Sequence, residues 1–166
     1  PTIERSLARL MLDLLALPDH GWRRDEVLSV LARATMRTGE GRRLPVGNWE
    51  RISREAGVVA GDDWDARLTD FAEQELGRVS PELSDGQRRR LEYRASDAEH
   101  LRQTVAGLRE HLAQGERLHA WPALSAWALA AFGLVTGDLE RVPRLPEDEA
   151  RAAEKVARTL AGLAGL

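Results

Sequence analysis

The chain has 166 residues, of which 43% are hydrophobic and 31% charged, a composition that suits one folded domain and argues against wholesale disorder. Its formal net charge is −3, so no global positive field draws it to nucleic acid or to an anionic membrane. It contains no cysteine, which excludes disulfides and thiolate metal sites and fits a reducing compartment.

The first half of the sequence predicts two helices, a loop and a shorter helix. Apolar residues recur at helical spacing over residues 3–16, until Pro18 and Gly21 end the pattern. A second helix is predicted over residues 24–36. Residues 37–48 are rich in glycine and arginine and predict a loop, after which Asn48 is positioned to cap a helix over residues 49–56.

The second half predicts four more helices. Asp62 or Asp63 is expected to cap a helix over residues 64–76, and Ser84 a long helix over residues 85–114. Two further helices are expected over residues 121–135 and from Pro146 onward. The five tryptophans are expected to be packing anchors whose ring N–H groups find a carbonyl or water. We therefore predict an all-α fold, an irregular bundle of about six to seven helices with one long central helix.

The long helix carries an interrupted heptad pattern. Its apolar positions are seven apart, with two leucines between them, and Arg94 breaks the pattern. Three incomplete heptads favour packing inside a bundle over an intermolecular coiled coil. The members are Leu91, Ala98, Leu101, Val105, Leu108 and Leu112.

The basic residues and the ends of the sequence suggest where the chain comes from. Lys155 is the only lysine among 24 basic residues, a bias typical of GC-rich bacterial genomes. The sequence begins without Met and stops within an apolar helical pattern, so we expect residues 1–166 to be a single helical domain cut from a larger chain. No signal peptide or membrane-length apolar run is visible, which predicts a cytoplasmic protein with no membrane partner.

Sequence motifs for catalysis are incomplete. There is no Gly-rich phosphate loop ending in Gly-Lys-Ser/Thr and no Gly-x-Ser-x-Gly elbow. The four histidines lack zinc-site spacing, and the aspartates at 62, 63 and 65 resemble only half of a calcium loop. We expect no catalytic residue, metal or cofactor in this chain, and hence no enzyme activity of its own.

Charge is distributed unevenly, and this selects the candidate site. Residues 23–54 hold eight arginines and four acids, a net of +4, whereas residues 61–85 hold eight acids and two arginines, a net of −6. The first segment is the candidate phosphate surface, and the second would repel DNA. The run Arg88-Arg89-Arg90 is interpreted as a solvated face, with phosphate contact as the alternative. The proposed phosphate contacts are Arg37, Arg42, Arg43, Arg51 and Arg54.

Several stretches resemble a known family. Residues 17–28 (LPDHGWRRDEVL), following the first helix, resemble a passage of the 2B subdomain of UvrD-like superfamily I helicases. Residues 48–59, 61–65 and 145–150 are similar to actinobacterial helicase-nuclease proteins of the AddB and RecC kind. The Arg-Gly-Ile-Gly segment of duplex-touching 2B subdomains is replaced here by residues 36–43, so the resemblance itself assigns no contact residue.

The resemblance implies a non-catalytic accessory domain. In that family the 2B subdomain is helical and modulates unwinding, and ATP and Mg²⁺ are held only by the flanking RecA-like motor domains. The implied partners are these motor domains of the same parent chain, DNA, and a second subunit of a helicase-nuclease complex. The alternative hypothesis is a protein-interaction scaffold that touches no nucleic acid. A third class, an independent enzyme, lacks an assembled set of catalytic groups.

Overall fold

The helical periodicity of the sequence is realised in the computed structural model, which describes residues 2–34, 43–136 and 147–165. The described residues form seven α-helices and a final 3₁₀ turn, with no β-sheet among them, which confirms the predicted all-α class. The helices are α1 (Thr2–Ala16), α2 (Arg24–Arg33), α3 (Val46–Glu55), α4 (Asp63–Gly77), α5 (Asp85–Gly115), α6 (Trp121–Thr136) and α7 (Glu147–Gly162), followed by the turn Leu163–Gly165.

Helix α5 is the central element, and its start is set by a local sequence signal. The Ser84 hydroxyl accepts a hydrogen bond from the Gln87 backbone N–H at 3.3 Å. The Gln87 side chain in turn accepts one from the Ser84 backbone N–H at 3.0 Å. This reciprocal capping box satisfies N–H groups that would otherwise lack partners, and it confirms the predicted cap. The helix then runs for 31 residues, about 46 Å at 1.5 Å per residue.

The helices pack as a closed sequence of neighbours. Helix α5 contacts α3, α4 and α6, while α7 bridges α6 and α1, and α2 bridges α1 and α3. One contiguous hydrophobic core receives side chains from all seven helices. The heptad residues Ala98, Leu101, Val105, Leu108 and Leu112 are buried in this core, which confirms that the pattern serves packing within the chain.

The turn after α1 is joined to the connection between α3 and α4. Gly21 accepts a hydrogen bond from the Gly61 N–H at 3.0 Å, and Trp22 accepts one from the Trp64 indole at 2.8 Å. Trp22 has a φ of 59°, a left-handed conformation that costs a side-chain-bearing residue about 1–2 kcal/mol. Burial of its ring and the bond to Trp64 hold this conformation. These bonds hold the turn between α1 and α2 against the connection between α3 and α4.

Three local predictions were wrong, and in the first case a tertiary contact prevailed over the local cap signal. Helix α3 begins at Val46, so Asn48 lies inside it, and its amide donates to the Asp97 carboxylate of α5 at 3.1 Å. Helix α2 ends at Arg33, since Ala34 adopts an extended backbone. Trp121 is 50% exposed and anchors no packing. Proline 146, the expected start of the last helix, lies outside the described residues.

Candidate functional site

The five predicted phosphate contacts do not form one described cluster. Arg37 and Arg42 lie outside the described residues. Arg43 is exposed shortly before α3, and its side chain has no hydrogen-bond or ion-pair partner within the described part of the chain. Of the predicted set, the structure therefore places Arg43, Arg51 and Arg54 on or beside α3.

Arg51 and Arg54 are exposed on α3, and each has a partner one turn away. The Arg51 guanidinium donates to the Asn48 side-chain oxygen at 3.1 Å, and that of Arg54 to the Glu50 carboxylate at 2.6 Å. Exposed pairs of this kind contribute only about 0–1 kcal/mol, so a phosphate can replace the present partner at little cost. Both residues remain chemically suited to the predicted role.

The remaining arginines of the basic segment are engaged by groups of the chain itself. Arg33 forms an ion pair with Asp13 of α1 at 2.8 Å, and Arg23 forms one with Asp25 at 3.4 Å. Arg24 donates to the Val58 carbonyl at 3.3 Å. The net charge of +4 counted from the sequence therefore overstates the cationic surface that is available to a partner.

The acidic segment is likewise partly neutralised, in this case by arginines of α5. Asp65 pairs with Arg102 at 2.6 Å, and Asp62 pairs with Arg109 at 3.0 Å. Further toward the start of α5, Arg94 pairs with the buried Glu75. These pairs cross the α4–α5 packing surface, so the predicted repulsion of DNA by residues 61–85 is weaker than the sequence count suggests.

Asp97 is the most buried carboxylate at the junction of α3 and α5. Its residue is 5% exposed and accepts the hydrogen bond from Asn48. Burial raises the pKa of the Asp97 carboxyl, against the opposing effects of the Asn48 hydrogen bond and the nearby charges of His100 and Arg51. Through Asn48, this carboxylate is connected to the guanidinium of Arg51.

The two described clefts that contain a histidine bring at most one unpaired carboxylate beside it. A cleft of about 400 Å³ beside α1 and α2 contains His20, but its carboxylates are bound by arginines or by His20 itself, as in the His20–Glu26 pair at 2.7 Å. A groove of about 450 Å³ between α5 and α6 contains His111 with the single carboxylate of Glu110. Within the described ranges, no group of three or more His, Asp or Glu side chains is arranged to hold a metal ion.

Sequence reasoning missed two surfaces. Helix α6 exposes Trp121 and Leu134, which are 50% and 39% accessible, a face that the sequence analysis did not identify. Helix α5 exposes Arg89 and Arg90 beside Tyr93, and neither guanidinium has a partner among the described residues. The alternative phosphate interpretation of the arginine run was the only sequence signal for the second surface.

None of the helices in the described part is long and apolar enough to cross a lipid bilayer. Comparison of this chain with protein families, with curated proteins and with solved structures found no match.

Proposed function

We propose that this chain is a non-catalytic accessory domain of an ATP-dependent DNA helicase or helicase-nuclease, similar to the 2B subdomain, and that it packs against the motor domains of the same parent chain through α6. The observation that carries the proposal is the apolar exposed face of α6. The resemblance of residues 17–28 and 48–59 to helicase-nuclease proteins supports motor domains as the proposed partner.

The α6 face is continuous and uncharged. From Pro122 onward its exposed residues recur every four residues, about one helical turn, and the face extends over about 20 Å from Trp121 to Leu134. They are Trp121, Pro122, Ala126, Ala130 and Leu134. The only polar side chains of α6 face inward, since Ser125 donates to the Leu160 carbonyl at 2.7 Å and Thr136 to the Phe132 carbonyl at 2.7 Å. Contiguous apolar patches mark protein-interaction surfaces, whereas single exposed apolar residues do not.

The DNA-contacting part of the proposal is supported by α3. Arg43 is exposed shortly before α3 and Arg51 in its middle, and each can turn toward a phosphate without losing more than a weak pair. Such contacts would position the duplex without reading its sequence. Arg54 is a third candidate, once its pair with Glu50 opens.

A scaffold with no nucleic-acid contact is the second candidate function. The observation in its favour is that Arg23, Arg33 and Arg54 already neutralise acids of this chain. On this hypothesis the α6 face alone carries the function, and the exposed arginines serve solubility.

Binding to the motor domains tests the docking proposal. The regions encoded on either side of this segment in its parent reading frame are produced separately, and their affinity for this chain is measured by calorimetry. The Trp121→Ala/Leu134→Ala variant should bind at least about tenfold more weakly, because two apolar anchors are lost. The matched control Leu12→Ala/Leu76→Ala removes exposed leucines elsewhere and should bind normally. Equal affinity of all three proteins would reject α6 as the docking face.

A forked DNA duplex separates the two candidate functions. Anisotropy at low and at physiological salt should detect salt-sensitive binding that the Arg43→Ala/Arg51→Ala variant loses, since phosphate contacts release counterions. Docking without any DNA binding would instead favour the scaffold.

A further inference from the structure

The first turns of α5 present two arginines and a tyrosine to solvent on one face. Tyr93 is 58% exposed, and Arg89 and Arg90 precede it by four and three residues, which places all three on neighbouring positions of the helix surface. Neither arginine has an ion-pair or hydrogen-bond partner in the described part of the chain. The exposed Tyr93 ring and the two unpaired guanidinium groups therefore have no structural role inside this fold.

Nearby acids do not neutralise this face. Two of these acids are already paired with neighbouring arginines. Arg88 pairs with Asp85 at 2.5 Å, and Arg94 pairs with Glu75 at 2.7 Å. Glu92 is exposed between them but lies within ion-pair distance of no described arginine. Two unpaired arginines, Arg89 and Arg90, against the one unpaired acid Glu92 leave the surface around Tyr93 with a net charge of +1.

Helix α3 extends this surface along α5. Asp97 lies one turn after Tyr93, and its carboxylate accepts from Asn48, whose side-chain oxygen accepts from Arg51. This chain of hydrogen bonds, which runs through the buried Asp97, brings the exposed Arg51 guanidinium of α3 close to α5 at the level of Asp97. Along α5, Arg89 and Arg90 therefore precede Tyr93, and Arg51 approaches the helix about one turn after it.

We infer that this face, defined by Arg51, Arg89, Arg90 and Tyr93, binds single-stranded nucleic acid. The guanidinium groups would contact backbone phosphates, and the Tyr93 ring would stack on an unpaired base. A single strand fits better than a duplex because bases within a duplex offer no free face for stacking. The inference rests on the proposed function in that the domain acts beside DNA, and it adds a strand-binding site on α5.

The test uses anisotropy of a fluorescein-labelled oligothymidylate with the whole chain. Arg89→Ala/Arg90→Ala should weaken binding and reduce the slope of log K against log salt by about 1.4, because each single-strand phosphate contact contributes about 0.7. Tyr93→Ala should weaken binding by at least about fivefold with the slope unchanged, and Tyr93→Phe should bind normally. The control Arg117→Ala/Arg158→Ala changes the net charge equally at other exposed positions and should leave binding intact.

Three results would overturn the inference. The first is no binding of oligothymidylate even at low salt. The second is equal weakening by both arginine pairs, which would indicate a general charge effect. The third is a Tyr93→Ala variant that binds normally while a polyglutamate peptide competes as well as the oligonucleotide, which would identify an acidic protein surface as the partner. Each result leaves the α6 docking measurement unaffected, so failure here is distinguishable from failure of the proposed function.

Discussion

Arg94 of α5 donates through Nε to the carboxylate of Glu75 on α4 at 2.7 Å, and this buried pair interrupts the heptad pattern of the long helix. The Arg94 side chain is 16% exposed and that of Glu75 is 5% exposed. The same guanidinium also donates to Glu55 of α3 and lies 5.2 Å from the centre of the Phe71 ring. Arg94, the polar residue that interrupts the heptad pattern of α5, therefore joins α3, α4 and α5.

We expect Arg94→Leu to destabilise the fold by about 3 kcal/mol, because Glu75 would remain buried with only the exposed Arg78 as a partner. Adding Glu75→Leu should recover most of this loss, since an apolar pair replaces the ion pair. Urea unfolding monitored by circular dichroism measures both effects. The control Arg102→Leu, which removes pairs with more exposed acids, should cost less than about 1 kcal/mol. If Arg94→Leu were as stable as the wild-type protein, the pair between Arg94 and Glu75 would not be needed for stability.

At neutral pH, the buried carboxylate of Asp97 should make the fold less stable than the same fold with an uncharged side chain at this position. Its folded-state pKa is raised by burial, so protonation favours the folded state, and this stabilisation is lost as pH rises through the raised value. Asp97→Asn keeps an acceptor for Asn48 without the charge. We expect this variant to be more stable than wild type near pH 7, with the difference shrinking toward about pH 3. A constant difference across this range would contradict the assignment.

Glu99, two residues further along α5, should have the opposite pH dependence. Hydrogen bonds from Arg102 hold its pKa at about 2, below the ordinary 4.5. Its contribution to stability is therefore full above 4.5 and is lost as pH falls toward 2. The side chain is 38% exposed, so solvent screening keeps this contribution below about 1 kcal/mol. Glu99→Gln should show a smaller loss of stability than wild type between about pH 5 and pH 3, measured by urea unfolding.

The sequence predicted the local elements of this fold well and its tertiary contacts poorly. The Ser84–Gln87 capping box and the buried stripe of α5 depend on residues three to seven apart, which a sequence pattern records directly. Asn48 and Asp97 are 49 residues apart, and no local pattern distinguishes an amide that caps a helix from one that binds another helix.

The candidate site was only partly predictable for the same reason. Charge counting identified the segment that contains Arg43 and Arg51, but it could not show which arginines are engaged by distant acids, as Arg33 is by Asp13. The exposed face of α6 was missed because nearly every residue of this helix is apolar, so the sequence pattern does not distinguish its exposed side from its buried side. Only the packing of α6 against α5 and α7 determines which of its sides remains exposed.

Two buried tryptophans offer a comparison of satisfied and unsatisfied indole N–H groups. The Trp64 indole donates to the Trp22 carbonyl at 2.8 Å, whereas the buried Trp49 indole has no partner among the described residues. Phenylalanine at either position removes similar volume. Trp64→Phe also leaves the Trp22 carbonyl unpaired, while Trp49→Phe removes an unpaired donor. We expect Trp64→Phe to be more destabilising by about 1–3 kcal/mol in thermal or urea unfolding. Equal losses would indicate that the Trp49 indole is satisfied by water in solution.

The two glycines of α5 nearest to α6 should respond to alanine in opposite directions. A Cβ at Gly115 would overlap the ring of Trp127, whose indole donates to the His111 carbonyl at 2.8 Å and whose ring is stacked parallel to the His111 imidazole. Gly115→Ala should therefore displace this ring and cost about 1–3 kcal/mol.

At Gly107, two turns earlier, a Cβ would meet no atom within 4 Å. Gly107→Ala should stabilise the fold by about 0.5–1 kcal/mol, because alanine loses less backbone entropy in a helix. Urea unfolding of the two variants compares the effects directly, and tryptophan fluorescence should change only for Gly115→Ala. If both variants were stabilised, the contact between the end of α5 and Trp127 would have to be looser in solution than in this structure, and the docking of α6 onto α5 would rest on Leu108, Leu112 and Phe132 instead.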